Sequence, residues 1–355
     1  MGYREKINIY VPRDVGTRLD NDALMFEILK KDNRTINRNR FITLVLCGYY
    51  DDYLMERGKL YDRILSLISD PVISCSKKVQ IATRVADAIA EQDVPKRKGK
   101  NPRCISYKPT AASDRVIDDI QNSAAETEFV AQFLCRMLIS YARKPISERE
   151  RIVFRDQVET IETALTKGRS ITFTERWDER QRHEVMPYAL ACSQEEMYNY
   201  LVCEELNAET GNAVVKTYRL NRMTKLGSGT RTQPISNKNK HYCEMTVYTA
   251  PQYAINADGE ICVKLNDKGT RLYNRIYYGR PKYSKIVDEG NYHYYYFTCS
   301  SDQVFHYFRR FEHGSVEVVS PQSERDRMIC FHREALKPYL SDEEHPQDDT
   351  LSYDQ

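Results

Sequence analysis

Residues 217–223 read TYRLNRM, and the fold of the middle of the chain turns on how they are read. Tyr218 and Leu220 alternate with Arg219 and Asn221 as in a half-buried strand, so an unbroken strand would send Arg222 to the buried face. A guanidinium left there without a partner is costly. If the strand turns after Asn221, Arg219 and Arg222 can face one pocket. If it runs on, Arg222 reaches past the strand end into solvent and nearby Tyr200 is packing.

The flanking sequence has the same period. SITFTERW (170–177), RHEVMPYALACS (182–193), MYNYLVCEEL (197–206) and VVKTYRLNRMTKL (214–226) are short strands with polar turns between them, the pattern of a small barrel. In order and spacing this segment resembles the WYL domain, an Sm-like or SH3-like β-barrel of bacterial regulators. Pro187 and Tyr188 match the family's Pro-Tyr step, with Ala189 where its glycine follows. Tyr200 and Leu201 match the end of the name-giving triplet, whose tryptophan is Asn199 here. Arg219 and Arg222 match its paired arginines, with Asn221 in place of aspartate, and His183 stands where another arginine is usual, beside Arg182. The resemblance implies a pocket of Arg219, Arg222, Tyr188, Tyr200, His183 and Arg182. Guanidinium forks suit phosphate and tyrosine faces suit bases, so the implied ligand is a nucleotide or a single strand.

Toward the amino end, KINIYVP (6–12) puts Ile7, Ile9 and Val11 on one strand face and Lys6, Asn8 and Tyr10 on the other. A helical stretch around 20–31, the polar break DNRTINRN and the helix RFITLVLCGYYDDYL (40–54) follow. Strand, helix, turn and helix resemble the ribbon-helix-helix family, in which paired strands enter the major groove of duplex DNA. That resemblance implies base reading by Lys6, Asn8 and Tyr10 and a phosphate clamp around Thr35, Asn37 and Arg38. Residues 103–144 repeat the plan, with CISYKP in register with INIYVP and EFVAQFLCRML matching RFITLVLCGYY. One chain is therefore expected to supply both halves of the ribbon, although pairing between two chains is the other arrangement. The linker DVPKRKGKNPR (93–103) holds Lys96, Arg97 and Lys98, which read either as a solvated linker or as a phosphate contact.

Toward the carboxyl end, EICVKLNDKGTRLYNRIYY, YHYYYFTC, a helix SSDQVFHYFRRFEHG and SVEVVSP have β-α-β spacing and resemble the extension that accompanies WYL domains and helps chains associate. Within it Arg275, Tyr277 and Arg280 alternate cations with rings, which suits a strand-tracking surface or a tyrosine-rich dimer interface equally.

The expected class is α+β. Its parts are a ribbon-helix-helix-type domain over 1–145, a connecting helix over 146–167, the barrel over 168–250, an α/β dimerisation extension over 251–340 and an acidic tail over 341–355. Lys and Arg number 53 against 51 Asp and Glu, a net charge of +2, so any nucleic-acid surface must come from local segregation of charge. No apolar run reaches the length of a membrane span, and charged residues follow Met1, so a cytoplasmic protein without a membrane partner is expected. The 10 cysteines, among them Cys47, Cys135, Cys192, Cys203, Cys262 and Cys299, form no Cys-x-x-Cys pair and read as reduced core residues. No metal site or cofactor is expected. There is no P-loop, nucleophile elbow or zincin motif, GSGTRT lacks the third glycine of a dinucleotide fingerprint, and the histidines are scattered. No catalytic residue is assigned, and the protein is not expected to be an enzyme.

The whole arrangement is similar to the WYL accessory proteins encoded beside type VI-D CRISPR effectors. That resemblance implies a homodimer that binds single-stranded RNA and stimulates the effector nuclease. A transcriptional regulator that binds duplex DNA and senses a nucleotide or single strand is the alternative.

Overall fold

The structure, a computed structural model, describes residues 5–68, 72–92, 94–95, 102–123, 130–206, 211–312 and 314–340. In chain order the elements are β1 (Ile7–Val11), α1 (Arg13–Met25), α2 (Arg38–Leu67), α3 (Cys75–Glu91), β2 (Arg103–Tyr107), α4 (Asp114–Ser123), α5 (Val130–Arg143), α6 (Ile146–Val153) and α7 (Arg155–Lys167). There follow β3 (Ile171–Glu175), β4 (Asp178–Cys192), β5 (Asn199–Leu206), β6 (Ala213–Arg219), β7 (Met223–Ser228) and α8 (Asn237–Thr249). The chain continues with β8 (Ile261–Asn266), α9 (Asp267–Arg275), β9 (Tyr283–Glu289), β10 (Tyr292–Phe297), α10 (Ser301–Phe308), β11 (Val316–Ser320) and α11 (Gln322–Leu336). The fold is α+β.

The chain divides into two compact units. One comprises Met1–Cys192, Met197–Tyr200 and Tyr218–Thr232, the other Ser193–Glu196, Leu201–Thr217 and Gln233–Gln355.

In the first unit β1 and β2 pair antiparallel with Ile9 opposite Ile105, Asn8 opposite Ser106 and Tyr10 opposite Cys104. Ile9, Val11, Ile105 and Tyr107 face inward, those of β1 toward α5, and Asn8, Tyr10, Cys104 and Ser106 face out, because a strand alternates its side chains. Under the ribbon, an ion pair fixes the helices. The Arg149 guanidinium of α6 donates to both Asp22 carboxylate oxygens of α1 at 2.7 and 2.8 Å, and the Tyr141 hydroxyl of α5 donates to the same carboxylate at 3.1 Å. Asp22 is 1% exposed. Gly48 lets α2 approach α6, since a Cβ there would collide with the Ile152 carbonyl oxygen. The connecting stretch 146–167 is two helices, α6 and α7, broken at Phe154. Gly168 ends the second in the left-handed region, φ 58°.

The strands of the middle segment have the order β6-β5-β4-β3-β7. β6 and β7 stand at opposite edges although only the 3₁₀ turn Leu220–Arg222 separates them in the chain, which requires the sheet to curl. No ladder joins them among the described residues, so the expected barrel is an unclosed sheet. Of the two readings of 214–226, the chain takes the one that turns, as β6 and β7 with the 3₁₀ turn between.

In the second unit a four-stranded antiparallel sheet, order β11-β8-β10-β9, is covered by α9, α10 and α11. Val263, Leu265, Tyr273, Phe297, Tyr307 and Phe308 form its core. Of the alternating cations and rings, Arg275 ends α9, and Tyr277 and Arg280 follow it. Tyr273 of α9 is buried, its hydroxyl donating to the Pro281 carbonyl at 2.6 Å. All ten cysteines are free thiols, but Cys47 and Cys192, read as core residues, are exposed with Cys75, Cys104 and Cys330. Their apolar neighbours in sequence fall on the other face of α2 or β4. Among the described residues no cluster of metal-ligating side chains occurs, and no helix is long and apolar enough to cross a membrane.

Candidate nucleic-acid interface

The two arginines of TYRLNRM meet the same segment of chain. β6 ends at Arg219, and the 3₁₀ turn buries Leu220 and Asn221 while turning Arg222 outward, 44% exposed. Arg219 leaves β6 on the face opposite Tyr218, packs its guanidinium 3.3 Å from the centre of the Tyr198 ring and donates to the Met25 carbonyl at 3.1 Å. Two residues further along that segment, the Glu27 carboxylate receives Arg222 at 3.4 Å.

Glu27 is shared. The Arg176 guanidinium, at the start of the β3–β4 turn, donates to the Glu27 carbonyl oxygen at 2.5 Å and lies 3.6 Å from its carboxylate, and the Arg176 N–H donates to the Arg222 carbonyl at 2.9 Å. Burial lowers the Arg176 pKa from its usual value. Glu27 opposes that fall, and the neighbouring charges of Arg40 and Arg222 reinforce it. Two guanidinium groups, Arg176 and Arg222, therefore meet one carboxylate, and the charge of Arg40 bears on Arg176. Glu27 itself has φ 58°, a conformation uncommon for any residue but glycine.

Beneath this rim lies a polar layer that satisfies itself incompletely. Glu150 is fully buried and accepts from the Asn199 N–H at 2.6 Å and from its side-chain amide at 2.7 Å. Burial pushes its carboxyl up to about 7, against those hydrogen bonds and the charge of Arg219. Among the described residues, Arg219 Nε, both amide atoms of Asn221, Glu150 Oε1 and Glu27 Oε2 are buried without a hydrogen-bond partner. Such groups are few in native proteins and are ordinarily met by ordered water.

The other residues singled out in the sequence are placed differently. His183 is buried, stacked on Phe173 with ring centres 5.2 Å apart, and its Nδ1 is 3.1 Å from the Tyr218 hydroxyl. Tyr218 leaves β6 on the side away from Arg219, so His183 belongs to the packed face of the sheet. Tyr200 is 9% exposed and Tyr188 is half-buried. Arg182 is exposed and donates to the Thr172 hydroxyl at 2.9 Å. The ring beneath Arg219 is Tyr198, which the resemblance does not single out, although it stands two residues from Tyr200 in MYNYL. Arg40 and Arg176 carry no motif.

On the ribbon, Lys6, Asn8 and Tyr10 are exposed. At the amino end of α2 the Asn37 side chain caps the helix by accepting from the Arg40 N–H at 3.1 Å. Arg38 forks onto Asp20 at 2.8 and 2.9 Å, and the Thr35 hydroxyl donates to Asp32 at 2.6 Å. The polar groups expected to clamp a phosphate there are thus engaged within the protein. Lys96, Arg97 and Lys98 lie outside the described residues. In the second unit Tyr277 is 73% exposed, with Arg280 5.0 Å from its ring centre and Arg275 also exposed.

No family model and no curated protein matches the chain. Among solved structures, one described as the crystal structure of a CRISPR Cas-related protein superposes over 96% of this chain and 95% of its own. Its TM-score is 0.64 and its identity 18%, so the likeness is one of fold. The proteasome accessory factor B/C (PafBC) of Arthrobacter aurescens aligns over 96% of this chain and 51% of its own length at 13% identity and a TM-score of 0.23.

Proposed function

We propose that this protein is a non-catalytic accessory of CRISPR immunity that binds single-stranded RNA and stimulates an RNA-guided RNase of the type VI-D class. The observation that carries the reading is the convergence of Arg176 and Arg222 on the Glu27 carboxylate, with the charge of Arg40 bearing on Arg176. Guanidinium groups on an exposed rim offer fixed positive charge and paired donors to phosphate, while Arg219 on Tyr198 supplies a cation–ring pair behind them. Phosphate oxygens entering the rim would take over the place of Glu27. The CRISPR context is supported by the shared fold of the Cas-related protein. The chain acts as a homodimer in this reading.

The test compares single-stranded RNA, single-stranded DNA and duplex DNA of equal length by fluorescence anisotropy at two salt concentrations. It is joined with a cleavage assay of a type VI-D effector with and without the protein. Salt-sensitive binding of the single strand and faster cleavage are expected. Equal affinity for all three, or none for any, removes the proposal.

A second reading has its own support. The paired strands β1 and β2 present Asn8 and Tyr10 on one exposed face, as a ribbon-helix-helix reader of the major groove requires, so a DNA-binding regulator is the alternative. In that case duplex DNA binds best, and Asn8→Ala abolishes sequence preference while Arg222→Ala does not.

A further inference from the structure

We infer that Trp177 is a stacking platform for an unpaired base next to the Arg222 rim, an inference that rests on the nucleic-acid reading above. Trp177 is the one tryptophan of the chain and sits at the tip of the β3–β4 hairpin, 61% exposed. Its large face is left open to solvent, and aromatic faces of this kind are what unpaired bases stack on.

The turn is rigid. Glu175 pairs with Asp178 across the hairpin and with Met223 on β7, and Arg176 is anchored by its N–H to the Arg222 carbonyl and by its guanidinium to the Glu27 carbonyl. Trp177 therefore follows directly after a residue whose backbone N–H is bonded to the Arg222 carbonyl, which brings the tip of the hairpin close to the Leu220–Arg222 turn. Arg180 and Arg182 continue the hairpin on the same side of the sequence. The acids here are Glu175, Asp178 and Glu179, the last held by Lys225 at 2.6 Å. A flat, uncharged face that follows Arg176 in the chain matches a base joined to its phosphate, the ring taking the base and the arginines of the rim the phosphate.

The chemistry shared by a free nucleotide and a strand is a base carrying a phosphate, and the experiment separates them. With a single indole, its selectively excited emission reports on this position alone. The protein is titrated with adenosine monophosphate and, separately, with a mixed-sequence single-stranded RNA, while anisotropy of labelled RNA follows binding independently. Saturable quenching that parallels the anisotropy isotherm is expected. Trp177→Ala should weaken binding about tenfold and Trp177→Phe much less, as loss and retention of one stacked base predict. Quenching by the strand alone assigns a strand, and quenching by the mononucleotide assigns a free nucleotide, both in accord with stacking.

Binding that depends on Arg222 with a silent indole and an unaffected Trp177→Ala overturns this inference and leaves the proposed function standing. Quenching by a protein partner but not by RNA overturns it in favour of a protein-docking role for the tip. Absence of RNA binding in the parent overturns both. The indole titration uses the unaltered protein, so it decides the matter even if a variant fails to fold.

Discussion

Glu27 and Arg222, 195 positions apart in the chain, stand 3.4 Å from each other, the carboxylate occupying the rim on which Arg176 and Arg40 also bear. The pair is part-exposed, 44% for the arginine and 19% for the acid, and pairs of this kind are worth up to about 1 kcal/mol. It acts less as a fastening than as a built-in competitor for the guanidinium groups.

Glu27→Gln should accordingly tighten binding of single-stranded RNA by about two- to fivefold at low salt, since up to roughly 1 kcal/mol of self-pairing need no longer be displaced. The amide retains the size and the carbonyl acceptor of the carboxylate, so the helix end is unchanged. The measurement is an anisotropy titration of parent and variant side by side. Unchanged affinity would mean that Glu27 and the strand do not contend for the same groups.

Arg222→Ala removes an exposed donor and should weaken the single strand by about tenfold, the order expected of one charge-assisted hydrogen bond. The slope of log affinity against log salt should become shallower by about 0.7 as one phosphate contact is lost. Arg219→Ala should behave otherwise, because that side chain is engaged by the Tyr198 ring and the Met25 carbonyl. Its loss should lower stability by about 1–2 kcal/mol as well as affinity, which a thermal melt run with each titration will show. Two variants indistinguishable in both readouts would mean that the turn at Leu220–Arg222 does not separate their roles.

How far the sequence carries follows from which interactions are local. The pairing of INIYVP with CISYKP in one ribbon is legible because the same alternation stands before similar helices in both, and Ile9 lies opposite Ile105, but the tyrosines aligned by the motif are one residue out of structural register, Tyr10 exposed and Tyr107 buried. The strands of the second unit are legible for the same reason. The rim is not. Its key acid comes from a helix end almost two hundred residues away, and Arg40 and Arg176 look like ordinary surface arginines until the chain brings them together. Nor does alternation foresee a 3₁₀ turn, which is why a continuous strand puts Arg222 on the wrong face. His183 was drawn to the pocket by its place in the resemblance, but Phe173 and Tyr218 hold it on the packed side of the sheet.

Asp22→Asn tests the fastening beneath the ribbon. Asp22 and Arg149 are 1% and 7% exposed in their side chains, and removing one charge leaves the other buried without compensation. A loss of about 3–5 kcal/mol is expected from denaturant unfolding of the variant. A loss below about 1 kcal/mol would show that water reaches Arg149 and that α1, α5 and α6 are held by packing alone.

Glu150 joins stability to the site through pH. Its folded carboxyl titrates at about 7, pushed up from 4.5 chiefly by burial. Between those values the folded state binds the proton more tightly than the unfolded one, so this group's contribution falls as pH rises from about 4.5 to 7, by at most about 3 kcal/mol. Replacing it with glutamine leaves an acceptor for the Asn199 N–H and removes the titration. The stability difference between Glu150→Gln and the parent should therefore favour the variant increasingly from about pH 5 to about pH 8, with its midpoint inside that window. The same change alters the site, because an ionised Glu150 offsets the charge of Arg219 and a neutral one does not. RNA affinity of the parent should rise on acidification through pH 7, and that of Glu150→Gln should stay level. A parent and variant with parallel profiles in both measurements would mean that Glu150 keeps one protonation state across the range, and that Arg219 owes nothing to it.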